Sequence, residues 1–225
     1  MKFALITEGP SEHRIIKHIL HRYFKDLDPE IVQIQPKIIN NKQNNVGGWN
    51  EVLKYCARQE IKDIFVENEY LIIQIDTDQS QMLPFNISHT KIDEQTGNIV
   101  DKTNEELYID VVSKLETLIK PEIFKVYKQK ILFAICTHTI ECWLLPIYFT
   151  SNHKTDKHNC INVLNTELRK RNIHIIPNKN KNNATSVRTY DTILKNWKKE
   201  QEIINSSLNS FGFKSFVDSL ESLKK

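Results

Sequence analysis

The feature that most constrains this chain is the alternation of short apolar runs with helical patterns. Three runs, Lys2–Thr7, Tyr70–Ile75 and Lys130–Cys136, are apolar at most positions, which is typical of strands buried on both faces of a sheet. Between the first two runs, apolar residues recur at helical spacing from Ile15 to Phe24, which predicts an amphipathic helix. Strands that alternate with helices indicate an α/β fold with a mainly parallel sheet and right-handed crossovers.

The remaining patterns predict further elements of the same plan. A run with Pro36 inside it predicts an edge strand over Ile31–Ile39, because proline cannot donate to the ladder of a central strand. The other predicted elements are a polar loop over Asn40–Gly48, a loop of about 25 residues after Asp78, and helices over Trp49–Val66, Glu105–Ile119, Ile140–Pro146, Cys160–Arg171, Ser186–Ser207 and Phe213–Lys224. We predict a single domain over residues 1–225, with a core of about 1–150 and a basic helical C-terminal extension of about 151–225.

Composition is that of an ordinary globular domain, with 225 residues, 40% of them hydrophobic and 26% charged. No apolar run reaches the ~20 residues of a membrane helix, and the first residues turn acidic too soon for a signal peptide. The four cysteines, Cys56, Cys136, Cys142 and Cys160, form neither a Cys-x-x-Cys pair nor a zinc spacing with histidine. We therefore expect reduced thiols, a cytoplasmic location and no contact with a membrane.

Charge is distributed unevenly along the chain. Residues 151–200 contain 11 Lys or Arg and four Asp or Glu, a net charge of +7; because the whole chain carries +3, the rest carries −4. An acidic remainder and a basic segment over residues 151–200 suit a metal site beside a surface that binds phosphate. The alternative is a bias of composition, since Lys, Asn and Ile are frequent throughout.

Acidic residues follow the predicted strands. Glu8, Asp76 and Asp78 each come just after a strand, and Glu141 follows a fourth strand by a few residues. If the strands are parallel, all four lie at the edge of the sheet where ligands bind in such folds. Clustered carboxylates stay ionised near pH 7 only with a compensating cation, and Mg²⁺ (or Mn²⁺) suits oxygen ligands. The alternative for Glu8 and Glu12 is a favourable interaction with the start of a helix.

Glu141 is the most informative of these acids because its neighbours, from Ile140 to Leu145, are apolar. An ionised carboxylate buried there without a partner costs several kcal/mol. We therefore expect a metal ion, a positive side chain or a protonated carboxyl at this position. The alternative is a local salt bridge or a position that faces outward.

Three segments resemble a known family. Residues 8–12 (EGPSE), between a strand and a helix, resemble the first motif of TOPRIM domains, and Asp76-Thr77-Asp78 resembles their Asp-x-Asp motif. Residues 137–145 (THTIECWLL) resemble the acid-then-Trp-Leu-Leu segment of RloB-like proteins, which are TOPRIM-related, akin to OLD-family nucleases and linked to restriction and phage defence. The resemblance covers residues 1–150 approximately and implies a Rossmann-like TOPRIM sheet. Three features depart from it: Ile140 stands where an aromatic is expected, several polar loops are long, and the last third aligns to nothing.

The resemblance implies roles for particular residues. Glu8 would act near the reacting phosphate as a metal ligand or general base, and Asp76 and Asp78 would hold one or two Mg²⁺ ions. Glu12 and Glu141 would complete a second metal site. His138 could assist Glu141, although a structural role is the stronger expectation. Candidates for a cation that neutralises the transition state are, in the basic region, Lys181, Arg188 and Lys195.

Three functions follow from these expectations. The first is a metal-dependent nuclease that cleaves DNA or RNA, tRNA included, as the effector of a bacterial phage-defence system. The second is a non-catalytic or partner-activated subunit, since the chain contains no Walker motif of its own and an associated ATPase could switch it on. The third is a phosphatase or phosphotransferase that uses Asp76 and Asp78; against it, Asp76 does not follow the first strand.

Overall fold

The computed structural model describes residues 1–39, 42–43, 47–150, 158–177 and 184–224. The strands are β1 Lys2–Ile6, β2 Glu30–Gln35, β3 Ile38–Ile39, β4 Lys42–Gln43, β5 Tyr70–Asp76, β6 Thr90–Ile92, β7 Ile99–Asp101 and β8 Ile131–Cys136. The helices are α1 Pro10–Tyr23, α2 Trp49–Cys56, α3 Ile64–Glu67, α4 Asn104–Leu118, α5 Pro121–Tyr127, α6 Cys160–Lys170, α7 Ala184–Leu194, α8 Glu200–Ser207 and α9 Phe211–Ser222. Short 3₁₀ helices cover Lys25–Leu27, Gln59–Asp63, Lys128–Lys130 and Ile140–Ile147.

Four of the strands form one sheet in the order β2-β1-β5-β8, and every neighbouring pair is parallel. The two pairs β3-β4 and β6-β7 are small antiparallel sheets. The predicted α/β class with a parallel sheet flanked by helices is therefore confirmed, and β2 is the edge strand that its proline predicted. In this order β1, β5 and β8 are adjacent, so their carboxyl ends meet at one edge.

Helices cover both faces of the sheet. Alternate residues of a strand point to opposite faces, and accordingly Phe3 and Leu5 belong to one buried cluster while Ala4 and Ile6 belong to another. Side chains of α1 and α6–α9 fill the first cluster, and side chains of α2, α4 and α5 fill the second. The helices of the last third thus pack directly on the sheet that carries the acidic residues.

Several element boundaries differ from the predictions. The predicted helix over Trp49–Val66 breaks after Cys56, and the one over Ser186–Ser207 is divided into α7 and α8. The predicted strand over Ile31–Ile39 ends at Gln35, because Pro36 has no N–H to offer the sheet. The long loop after Asp78 contains the β6-β7 hairpin, and α5 was not predicted. The predicted loop over Asn40–Gly48 lies partly outside the described residues.

The expectation of four reduced cysteines is wrong. Cys142 and Cys160 form a disulfide that joins the 3₁₀ helix after β8 to the first residue of α6. Cys56 and Cys136 are buried thiols. The pairing was missed because 18 positions separate the two cysteines and only the tertiary fold brings them together. Among the described residues, no helix combines the length and the apolar character that crossing a membrane requires.

Candidate active site

The carboxyl end of the sheet brings Glu8 and Asp76 together. The backbone N–H of Asp76, the last residue of β5, donates a hydrogen bond of 2.7 Å to Oε1 of Glu8. Glu8 lies two residues beyond β1, and its carbonyl accepts a bond of 2.6 Å from the N–H of Gly48, just before α2. The two acids are 68 positions apart in the chain but are neighbours in the structure because β1 and β5 pair in parallel.

Gln74 links the same two acids from inside β5. Its side chain is fully buried; its amide Nε2 donates to Oδ1 of Asp76 at 2.9 Å, and its Oε1 accepts from the N–H of Glu8 at 3.2 Å. A buried amide satisfied on both sides fixes the relative position of its partners. Sequence reasoning missed Gln74, although one polar residue inside the apolar run Tyr70–Ile75 was a usable signal.

Glu141 is the most deeply buried of the predicted acids, at 0% exposure. It lies in the 3₁₀ helix after β8, and its Oε1 accepts a hydrogen bond of 2.6 Å from the phenol of Tyr190 on α7. This partner is a neutral phenol, which is none of the three situations expected for the carboxylate. Tyr190 was not predicted, because no pattern in the sequence connects α7 to Glu141.

The pKa of Tyr190 depends on several of the predicted acids. Burial raises the pKa of its phenol well above the usual value, and the negative charges of Glu141, Glu12 and Asp76 raise it further. Glu12 and Asp76 are each 5% exposed, and Glu12 accepts a hydrogen bond of 2.9 Å from the hydroxyl of Ser11. Three buried carboxylates from α1, β5 and the segment after β8 therefore act on one phenol. We call Glu8, Glu12, Asp76, Asp78 and Glu141 the acid cluster.

Asp78 differs from the other members because it is exposed to solvent. Its backbone is nevertheless fixed: the N–H groups of Thr77 and Asp78 both donate to the carbonyl of His138 at 3.0 Å, and the N–H of His138 donates to Oγ1 of Thr77 at 2.8 Å. The loop after β5 is thereby tied to the segment after β8. Asp78 thus lies two residues beyond β5 with its side chain exposed, where a substrate from solvent could reach it.

Three histidines meet beside this loop. The ring centroids of His138 and His158 are 4.2 Å apart, and His89 lies 6.3 Å from each. Burial, followed by the other two histidines, lowers the pKa of His138 to about 4, so its ring is neutral near pH 7. Nε2 of His89 lies 2.9 Å from the carbonyl of Thr77 and must carry a proton, since a carbonyl only accepts. We predicted a structural role for His138 but not its two histidine neighbours, because they are distant from it in sequence.

The donor atoms of the acid cluster suit a hard cation such as Mg²⁺, which prefers carboxylate oxygen. The arrangement shown is not itself a ligand shell: no three His, Cys, Asp or Glu side chains of the described residues are grouped in a way that would hold a metal ion. Ligation by the acid cluster therefore requires side-chain rotation, for which the solvent-facing Asp78 is best placed.

The candidate cations of the basic region lie on or beside α7, or outside the described residues. Arg188 is exposed on α7 and Lys195 is exposed just after it, while Lys181 lies outside the described residues. The ion pair that α7 does make joins Asp191 to Arg14 of α1, at 2.7 Å. This pair and the bond between Nε2 of His18 and the carbonyl of Trp197, at 2.9 Å, hold α7 against the helix that carries Glu12.

Comparison of the chain with models of protein families, with curated proteins and with solved structures finds no match in any of the three. The resemblance to TOPRIM and RloB-like proteins accordingly stays a prediction from the three sequence motifs.

Proposed function

We propose that the protein is a TOPRIM-related nuclease that uses a divalent metal ion to cleave phosphodiester bonds, as the effector of a phage-defence system. One observation carries the proposal: acids from three segments distant in sequence converge at the carboxyl end of three adjacent parallel strands. Three of them, Glu12, Asp76 and Glu141, are almost completely buried around one phenol. Buried carboxylates lose hydration that their partners must offset, and a divalent cation can offset it for several carboxylates at once.

In this proposal Glu8, Asp76 and Asp78 hold Mg²⁺ (or Mn²⁺), and Glu12 and Glu141 contribute to a second ion. Bound ions of this kind supply an activated water and stabilise the leaving oxygen of the phosphodiester. The chain's own contributions are positional. The N–H of Asp76 holds the Glu8 carboxylate in place, and Gln74 holds the Asp76 carboxylate and the backbone N–H of Glu8. The bonds between Thr77 and His138 hold the loop that presents Asp78.

The proposed substrate is a nucleic acid, either DNA or RNA. The excess of positive charge over residues 151–200 supports binding of a phosphate backbone, which depends mainly on Lys and Arg. We also propose a cytoplasmic location. A subunit activated by an ATPase partner is the second candidate function, in line with the chain's lack of a Walker motif. A disulfide is uncommon in the cytoplasm, so the oxidation state of Cys142 and Cys160 in the cell bears directly on this location.

The proposal is tested by incubating the purified protein with plasmid, single-stranded DNA, total tRNA and a phosphatase substrate, in Mg²⁺, Mn²⁺ or EDTA. Glu8→Gln and Asp78→Asn preserve side-chain volume but remove a charge, and we expect each to lower cleavage by about 10²- to 10³-fold. The matched control is Glu30→Gln, because Glu30 lies at the amino end of β2 with its side chain 65% exposed. Cleavage that survives EDTA or both acid-cluster variants contradicts the proposal.

The same assay separates the alternatives. Cleavage that begins only when an ATPase partner is added, and is then lost in Glu8→Gln, supports the partner-activated subunit. Release of phosphate from the small substrate without cleavage of any nucleic acid supports the phosphatase, for which Asp76→Asn and Asp78→Asn should both abolish turnover.

A further inference from the structure

The C-terminal third contributes one side chain to the centre of the acid cluster. Tyr190 of α7 is fully buried, as is Glu141, and its phenol donates to Oε1 of that carboxylate at 2.6 Å. The negative charges of Glu141, Glu12 and Asp76 all raise the pKa of Tyr190. A phenol donates a hydrogen bond to a carboxylate without bringing a charge of its own.

The helix that carries Tyr190 is itself held in place. Asp191, the next residue, pairs with Arg14 at 2.7 Å, and His18 contacts the carbonyl of Trp197 at 2.9 Å. Both partners lie on α1, the helix whose first turn carries Glu12. Consequently α1 and α7 fix Glu12 and Tyr190 relative to each other, and through Tyr190 they fix Glu141.

We propose that Tyr190 is a positioning residue of the acid cluster, holding the Glu141 carboxylate in the orientation in which it receives a divalent ion. This inference rests on the proposed function, since it assumes that the acid cluster binds such an ion. It assigns to α7 a role in metal binding that acts through Glu141 and differs from the binding of a phosphate backbone expected of the basic region. A neutral donor suits this role because, unlike lysine or arginine, it does not compete with the cation for the carboxylate.

The chain contains a matched control for this contact. Tyr23, at the opposite end of α1, also donates its phenol to a glutamate, Glu221 of α9. Its distance along α1 from Glu12 is 11 residues, or about 16 Å at the rise of an α-helix. Tyr23→Phe therefore removes a hydrogen bond of the same kind without touching the acid cluster.

The test measures Mn²⁺ affinity by isothermal calorimetry and by the electron paramagnetic resonance of free Mn²⁺. We expect Tyr190→Phe to weaken Mn²⁺ binding by about tenfold, as loss of a residue that orients a metal ligand does, while Tyr23→Phe binds Mn²⁺ as the unaltered protein does. Circular dichroism and thermal unfolding establish that both variants are folded. Equal Mn²⁺ affinity in Tyr190→Phe and the unaltered protein overturns the inference.

A double-mutant cycle separates positioning from a general loss of packing. If Tyr190 acts through Glu141, then Tyr190→Phe weakens Mn²⁺ binding in the unaltered background but has no further effect when added to Glu141→Gln. Additive losses overturn the inference even if each single variant binds Mn²⁺ poorly. Absence of Mn²⁺ binding in the unaltered protein is a different outcome: it contradicts the metal-dependent function and, with it, the premise on which the role of Tyr190 depends.

Discussion

Acidic residues lie at both ends of the parallel sheet, but in opposite environments. At the amino end, Glu30 and Glu69 are 65% and 59% exposed. Glu30 pairs with the ammonium of Lys2 at 3.2 Å, and Glu69 lies 3.6 Å from the amino terminus. At the carboxyl end, Asp76 and Glu141 are 5% and 0% exposed. Carboxylates at the two ends thus have the same chemistry but very different access to water.

The energetic difference between the two ends is large. Exposed ion pairs such as those of Glu30 and Glu69 contribute about 0–1 kcal/mol, whereas a buried carboxylate loses several kcal/mol of hydration that its partners must offset. Burial of Glu12, Asp76 and Glu141 in one region therefore costs hydration free energy at each of the three carboxylates. Costs of this kind are characteristic of functional sites.

The largest expected loss of stability comes from Gly212, which supports the carboxyl half of β8. A Cβ added to this residue of α9 would lie 2.0 Å from the carbonyl oxygen of Ile135, so one backbone segment would have to move. We expect Gly212→Ala to lower the free energy of unfolding by about 3 kcal/mol. The measurement is urea unfolding, with Gly97→Ala as the control: Gly97 has open space around it and a φ of +70°, so the change should cost about 1 kcal/mol.

The next effect concerns the disulfide that attaches α6 beside Glu141. With 18 positions between Cys142 and Cys160, the crosslink should stabilise the fold by about 3 kcal/mol. We expect dithiothreitol to lower the unfolding temperature of the unaltered protein but not that of Cys160→Ser. Titration of the denatured, non-reduced protein should find two thiols, Cys56 and Cys136; four thiols would contradict the bond.

A smaller effect is expected on lowering the pH. Burial, followed by the charges of Lys17 and Arg14, lowers the pKa of His13 to about 4, whereas the unfolded chain retains about 6.5. The unfolded chain therefore binds more protons between these values, so the free energy of unfolding falls as the pH falls below 6.5. For His13 the loss between pH 7.5 and pH 5 is about 2 kcal/mol. Urea unfolding at the two pH values should show a shallower dependence in His13→Gln; an unchanged dependence would contradict the burial of that ring.

The smallest effect comes from removing one negative charge at each end of the sheet. Glu141→Gln keeps an oxygen that can accept from Tyr190 but removes a buried charge. We therefore expect it to stabilise the metal-free protein by about 1 kcal/mol. Glu30→Gln should change stability by no more than about 0.5 kcal/mol. Thermal unfolding in EDTA compares the two variants, and destabilisation by Glu141→Gln would show that its charge is already offset within the fold.

The sequence predicted the parts of the fold that depend on local pattern. The buried runs at residues 2–7, 70–75 and 130–136 became β1, β5 and β8, and their parallel arrangement followed from the intervening helices. The convergence of Glu8 and Asp76 could be predicted because parallel strands share an edge. Contacts that depend on tertiary packing alone could not be predicted: the hydrogen bond from Tyr190 to Glu141, the disulfide between Cys142 and Cys160, and the cluster of three histidines.

One local pattern in the sequence indicates a hairpin that we did not predict. In the loop after Asp78, the segment from Thr90 to Asp101 has a cross-strand pair of isoleucines, Ile92 and Ile99, around a turn that contains Gly97. Glycine in a short turn between β-branched residues is a hairpin signal. The prediction of one helix over Trp49–Val66 is wrong for a different reason. The apolar periodicity continues past Cys56, whereas the helical backbone ends there.

The most direct test of the proposed metal site is a crystal of the protein soaked in Mn²⁺, with the anomalous scattering of the ion used to locate it. We predict a peak at the carboxyl end of β5, with carboxylate oxygens of Asp76 and Asp78 and of Glu8 about 2 Å from it. A map without a peak at that end of the sheet, or with its only peak elsewhere, such as among His89, His138 and His158, would contradict the proposed site.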